Sequence, residues 1–226
     1  MSWFSDTFSS SIGRKIAMAL SALFLVIFLL LHVAVNFLSV ISPDAFNEAS
    51  HFMGTNPLVQ FLMQPILILA VVYHFVAGFA LEASNRAARP VKYAMKSNKN
   101  ASWMSQNMMI SGLVILAFLV LHFMDFWVPE ITTKYIEGDM SGLTVAGDMR
   151  YYEELVHRFQ NPMRVVAYVV AFVLLALHLL HGFQSSFQTM GVNNKFTPSI
   201  KKITNAYAIV VPLVFIFIAI YHFINH

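Results

Sequence analysis

Residues 161–187 read NPMRVVAYVVAFVLLALHLLHGFQSSF, and from Val165 to Phe187 they contain no Asp, Glu, Lys or Arg. A helix rises 1.5 Å per residue and a bilayer core is about 30 Å thick, so about 20 such residues span it. Asn161-Pro162 is a helix-start signal, with asparagine as cap and proline at the first position. Similar runs recur along the chain. They predict five helices, at about Ile16–Ile41, Leu58–Ala83, Met104–Val128, Met163–Phe187 and Tyr207–Phe223. Pro65 and Pro212 fall inside such runs, where membrane helices tolerate proline. The expected fold is all-α, one transmembrane domain over residues 1–226.

Composition agrees with lipid as the solvent. The 226 residues are 58% hydrophobic and 11% charged, whereas soluble domains carry about 25% charged residues. The chain has no cysteine. Disulfides, thiolate metal sites, iron–sulfur clusters and covalently attached c-type haem are therefore excluded from it. Met1–Arg14 lacks the pattern of a cleaved signal, so the first helix is expected to be retained. No internal repeat or low-complexity segment stands out. The longest expected non-helical stretch is about Pro129–Gln160, and Ser42–Asn56 is a second connection.

Lysine and arginine set the expected orientation. An internal N-terminus puts ten of them inside: Arg14, Lys15, Arg86, Arg89, Lys92, Lys96, Lys99, Lys195, Lys201 and Lys202. Four fall outside: Lys134, Arg150, Arg158 and Arg164. The N-terminus is expected inside and the C-terminus outside, in a multi-pass protein of a bacterial inner (cytoplasmic) membrane. The net charge of +3 says little about partners, because its meaning lies in where the charges sit; no nucleic-acid partner is expected.

Ionisable residues inside membrane helices mark functional sites, and here they are mostly histidines: His32, His74, His122, His178 and His181. Helical rise places His32 roughly 26 Å past Lys15 and His122 roughly 28 Å past Trp103, both near the outer side. His74 lies roughly 24 Å in from Leu58 and His181 roughly 28 Å in from Pro162, both near the inner side. A b-type haem in a helical bundle needs two imidazoles facing each other from different helices. Two layers of two histidines supply that twice. Bis-imidazole ligation leaves no open position on the metal, which favours electron transfer over oxygen chemistry. Any single intramembrane histidine is also explicable as an interhelical hydrogen-bond partner; four on separate helices at two depths are not. On the fourth helix His181 is the favoured ligand and His178 its alternative. Gly182, like Gly78 beyond His74, would let a flat macrocycle approach.

The segments LLLHVAVNF (29–37), VVYHFVAGF (71–79), LVLHFMDFW (119–127) and HLLHGFQSSFQTMG (178–191) together resemble the dihaem cytochrome b anchor of succinate:quinone oxidoreductases. These are respiratory complex II and quinol:fumarate reductase, in the type with a single five-helix anchor. The resemblance implies His32 and His122 on the distal haem, His74 and His181 on the proximal haem. It implies an FAD flavoprotein and an iron–sulfur subunit on the inner face, and a membrane quinone, menaquinone or ubiquinone. Arg14, Ser21 and Trp103 are candidate propionate partners for the inner haem, Arg158 and Arg164 for the outer one. Anchor, belt or own-helix roles compete for Arg14, Trp103 and Ser21. Glu48 and Asp125, with His51 nearby, are candidates for proton exchange with the quinone. Some members carry a glutamate on the fourth helix that helps protons cross; this fourth helix has no carboxylate. The rival readings are a dihaem cytochrome b of a hydrogenase or formate dehydrogenase, and a haem-free transporter or structural bundle.

Overall fold

The structure is a computed structural model describing residues 10–87, 108–192 and 194–226. Trp103, the expected helix start at Met104, and the inner-side cations Arg89, Lys92, Lys96 and Lys99 lie outside those residues. Among the described residues the chain is helical, and one isolated antiparallel bridge joins Leu143 to Met149. The helices are α1 (Ser11–Ile41), α2 (Pro43–Thr55), α3 (Val59–Ala87), α4 (Met108–Ile136), α5 (Tyr151–Phe159), α6 (Pro162–Thr189) and α7 (Thr197–Asn225). Five of them, α1, α3, α4, α6 and α7, are long and apolar enough to cross a membrane.

Local chemistry sets the boundaries. Ser10 Oγ accepts from Gly13 N at 3.0 Å and starts α1. Ser42 leaves helical conformation (φ −156°, ψ 119°), ends α1 and caps α2 by accepting from Ala45 N at 3.2 Å. Pro43 and Asp44 then fill the first turn, so the expected connection Ser42–Asn56 is mostly helix. Asn161 caps α6 as its sequence predicts, accepting from Met163 N and Arg164 N at 3.0 and 3.3 Å.

Two expectations are corrected. Pro129–Gln160 is not a non-helical stretch: α4 runs on to Ile136 and α5 fills Tyr151–Phe159. The last helix begins at Thr197, not Tyr207, because polar turns carrying Lys201 and Lys202 extend it beyond the apolar run.

Proline has a consistent effect in two spans. Val59–Met63 and Phe123–Trp127 are π turns, and each is followed by one residue and then proline, Pro65 and Pro129. Proline lacks an N–H and its ring collides with the carbonyl four residues back. Widening the preceding turn lets Gln64 N reach Val59 O, and Val128 N reach Phe123 O, one residue further back.

The core runs along α6 and α7, which pack on each other most extensively. Tyr168, Phe172, Phe215 and Ile218 are buried there, and Phe172 stacks on Phe215 with ring centres 5.1 Å apart. Other faces of all five spans expose large apolar side chains such as Ile27, Leu69, Val120, Val166 and Phe217. Such continuous apolar surface suits lipid rather than water.

Candidate functional site

Four of the five spans bring histidines together in two pairs. His32 of α1 faces His122 of α4, with ring centres 5.8 Å apart and planes at 82°. His32 stacks on Phe28 and touches Phe215, while His122 lies among Phe118, Phe126 and Tyr168. His122 Nδ1 is buried with no hydrogen-bond partner.

The second pair is His74 of α3 and His178 of α6, with ring centres 6.3 Å apart and planes at 68°. On α6 the structure brings the alternative histidine, His178, to this pair. It turns His178 toward His74, whereas His181 is only half-buried and makes no ring contact among the described residues. Positions three apart differ by about 60° around a helix, and of these two it is His178 that meets His74. Each member of this pair meets a serine. Ser21 Oγ of α1 lies 3.3 Å from His74 Nδ1, and Ser111 Oγ of α4 lies 3.3 Å from His178 Nδ1. Gly112 follows Ser111, and a Cβ there would stand 3.9 Å from His178 Cε1.

The remaining candidates fall in different places. Arg14 lines a cavity of about 320 Å³ with Tyr73, Val76, Ala77, Ala80 and Leu81, on the α3 turns flanking His74. Ser21, a candidate propionate partner, bonds its own helix at Met18 O and lies beside the His74 ring. Asp125 lies within the π turn after His122, its side chain 1% exposed. Arg164 Nε stands 2.9 Å from Asp125 Oδ1, and Tyr168 donates to Oδ2 at 3.0 Å. Both its oxygens are thus engaged from α6. Glu48, by contrast, is exposed on α2, and Arg158 is half-buried on α5. Gly182 and Gly78 meet methionines: a Cβ would come 3.1 Å from Met108 Cε and 3.4 Å from Met18 Cε respectively.

The chain is similar to a succinate dehydrogenase cytochrome b558 subunit of Bacillus subtilis (strain 168). The two are 26% identical over 187 residues, covering 82% of this chain and 81% of that protein. No family model matches the chain. No solved structure matches it.

The donor geometry can be tested against a pair of axial imidazoles. With a metal–imidazole bond of about 2 Å and about 1.2 Å from ring nitrogen to ring centre, two imidazoles on opposite sides of one metal have centres about 6.4 Å apart. The observed 5.8 and 6.3 Å fit that spacing. Among the described residues no three His, Cys, Asp or Glu gather into a metal cage, so imidazole pairs are the donor set on offer. The unpartnered His122 Nδ1 is a further free donor atom.

A polar cluster caps the end of the bundle beyond His32 and His122. Glu130 of α4 pairs with Lys134 and with Arg150, and Arg150 reaches Glu154 at 2.5 Å. Lys134 also donates to Gly54 O on α2. The Tyr151 ring lies 6.2 Å from that of His51, and burial together with Glu130 pushes its phenol up to about 12. Sequence reading missed Lys134 and Arg150 as buried groups. Each sits four residues from its glutamate, the spacing of an intrahelical ion pair, and that was the available signal.

Proposed function

We propose that the chain is the membrane anchor and dihaem cytochrome b of a succinate:quinone oxidoreductase, working as succinate dehydrogenase or fumarate reductase. The carrying observation is the two facing histidine pairs drawn from four separate spans. The similarity to a succinate dehydrogenase cytochrome b558 subunit favours this over a hydrogenase or formate dehydrogenase partner. His32 and His122 hold one b haem and His74 and His178 the other, with His181 outside the ligand set. Each haem supplies a one-electron couple when bound.

The residues of the chain do the rest. Two histidine ligands would leave a bound haem no position for oxygen. Phe28, Phe118, Phe126 and Phe215 keep water from the first pair. Arg14 offers a cation beside the second pair for a carboxylate such as a propionate. Serines at the depth of the second pair lie eleven residues before the histidines of the first, so the pairs are about 16 Å apart along the bundle. Electrons pass between a membrane quinone and the iron–sulfur subunit, which docks with the FAD flavoprotein on the inner face beside Arg14, Arg86, Lys201 and Lys202. Asp125, held by Arg164 and Tyr168, serves as a structural carboxylate next to His122, and exposed Glu48 remains the candidate for proton exchange.

The decisive experiment is a pyridine haemochrome assay on the purified complex, with copurifying succinate dehydrogenase activity. Two b haems per chain and a flavoprotein partner are expected. A colourless chain, or a nickel or molybdenum enzyme in the preparation, overturns the reading. Replacing His74 or His178 by alanine removes one spectral component, replacing His32 or His122 removes the other, and His181→Ala removes neither.

A further inference from the structure

The surroundings of His74 and His178 are built twice from the same parts. On α1 the sequence runs Met18, Ser21, His32; on α4 it runs Met108, Ser111, His122, with identical spacings. On α3, His74 is followed four residues later by Gly78; on α6, His178 is followed four residues later by Gly182. The contacts match as well as the spacings. Met18 faces Gly78 and Met108 faces Gly182, while Ser21 meets His74 and Ser111 meets His178. α1 packs on α3 and α4 on α6. The structure therefore contains an internal repeat of two helix pairs, which correspond position by position although the sequence displays no general repetition.

The serine hydroxyls define what the imidazoles can do. A hydroxyl has one hydrogen to give. Ser21 donates it to Met18 O at 2.8 Å, and Ser111 donates it to Met108 O at 2.9 Å. Toward the histidines each oxygen can only accept, so each Nδ1 carries the proton and each Nε2 keeps its lone pair. Among the described residues the same device recurs on the other ring nitrogen. Ser39 donates to Asn36 O at 2.6 Å and accepts from Nε2 of His222 at 2.8 Å, in a fully buried contact joining α1 to α7. There it is a helix lock, on a histidine whose ring meets Tyr152, Tyr221 and the neighbouring His226 of the same chain end. At the other pair, His32 Nδ1 has Asn36 Nδ2 at 3.5 Å, and His122 Nδ1 has no hydrogen-bond partner.

We infer that Ser21 and Ser111 are matched positioning residues, which fix Nε2 as the metal-facing nitrogen of His74 and His178 and tune the metal they hold. This rests on the proposed function, because it assigns a role toward a haem. An acceptor on Nδ1–H makes an imidazole a stronger donor, which stabilises the oxidised metal and lowers its potential. The histidine pair on α1 and α4 lacks that device.

The test is a potentiometric titration of the complete complex carrying Ser21→Ala, Ser111→Ala, both together, and the corresponding threonine variants. Threonine keeps a hydroxyl that bonds the carbonyl one turn back. Each alanine change is expected to raise the midpoint potential of the component that His74→Ala removes. The double variant raises it further, threonine returns it toward wild type, and the component that His32→Ala removes stays in place. Loss of the first component in alanine with its retention in threonine has the same meaning. An unmoved potential in both single alanine variants overturns the inference, as does an equal displacement by alanine and threonine. Absence of two b components from the unmodified complex would instead sink the functional reading, before any serine is changed.

Discussion

At the scale of single residues, the cluster capping the bundle shows how glycine and a buried phenol work together. Gly142 has φ +68°, and a Cβ there would collide with the Tyr151 hydroxyl and come 3.1 Å from His51 Nδ1. Gly138 and Gly147 also have positive φ but open space around them. Alanine at either of those should cost about 1 kcal/mol from backbone strain alone. At Gly142 a steric term of about 1–3 kcal/mol is added, so Gly142→Ala should depress the melting temperature in detergent well below the other two variants. Equal depression would mean that the Tyr151 contact does not constrain the loop. Tyr151 also makes a pH prediction. Its phenol is raised from 10.0 to about 12 in the folded protein, so between those values the native state holds a proton that the unfolded chain has released. Stability is therefore full below pH 10 and falls as pH rises toward 12. Tyr151→Phe should flatten that decline in thermal unfolding scans, and an unchanged slope would refute it.

At the scale of helices, the lock between α1 and α7 is the clearest case of packing by a polar group. His222 is fully buried, bonded to Ser39 and edge-on to Tyr152. His222→Ala leaves a void and removes the buried hydrogen bond to Ser39, together costing about 2–4 kcal/mol. The expected result is a lower melting temperature with both haem components intact; loss of a component would make His222 part of the haem site. The helices themselves were legible from hydropathy because lipid demands long apolar runs. Their polar ends were not. Residues 197–206 are helical without forming an apolar run, and α4 passes Pro129 only because a π turn absorbs the missing N–H. The histidines were legible for the same reason, since an imidazole in an apolar run is conspicuous. Sequence leaves His178 and His181 both open, because depth along a helix does not fix rotation about it. Ser111 escaped notice because a serine bonded to its own helix looks neutral in sequence, and only its partner across the bundle gives it meaning.

At the scale of the whole molecule, charge and histidine depth have to agree on one orientation. The first turns of α1, the last turn of α3 and the first turns of α7 bring Arg14, Lys15, Arg86, Lys201 and Lys202 to the end nearer His74 and His178. The other end carries the cluster of Glu130, Lys134, Arg150 and Glu154, in which cations are balanced by carboxylates. Positive charge is retained on the cytoplasmic side during insertion, so the proposed orientation has the Arg14 end inside and His74 and His178 as the pair nearer the proposed iron–sulfur partner. The absence of cysteine makes this directly measurable, because an introduced thiol is the only one in the chain. Val145, in the exposed connection between α4 and α5, and Lys202, exposed on α7, are suitable positions. In intact cells a membrane-impermeant thiol reagent should label Val145→Cys at once and Lys202→Cys only after lysis. The reverse pattern would invert the molecule and move the docking face to the end formed by α2 and α5. Such an outcome would make His32 and His122 the first stop for electrons, while leaving both histidine pairs intact.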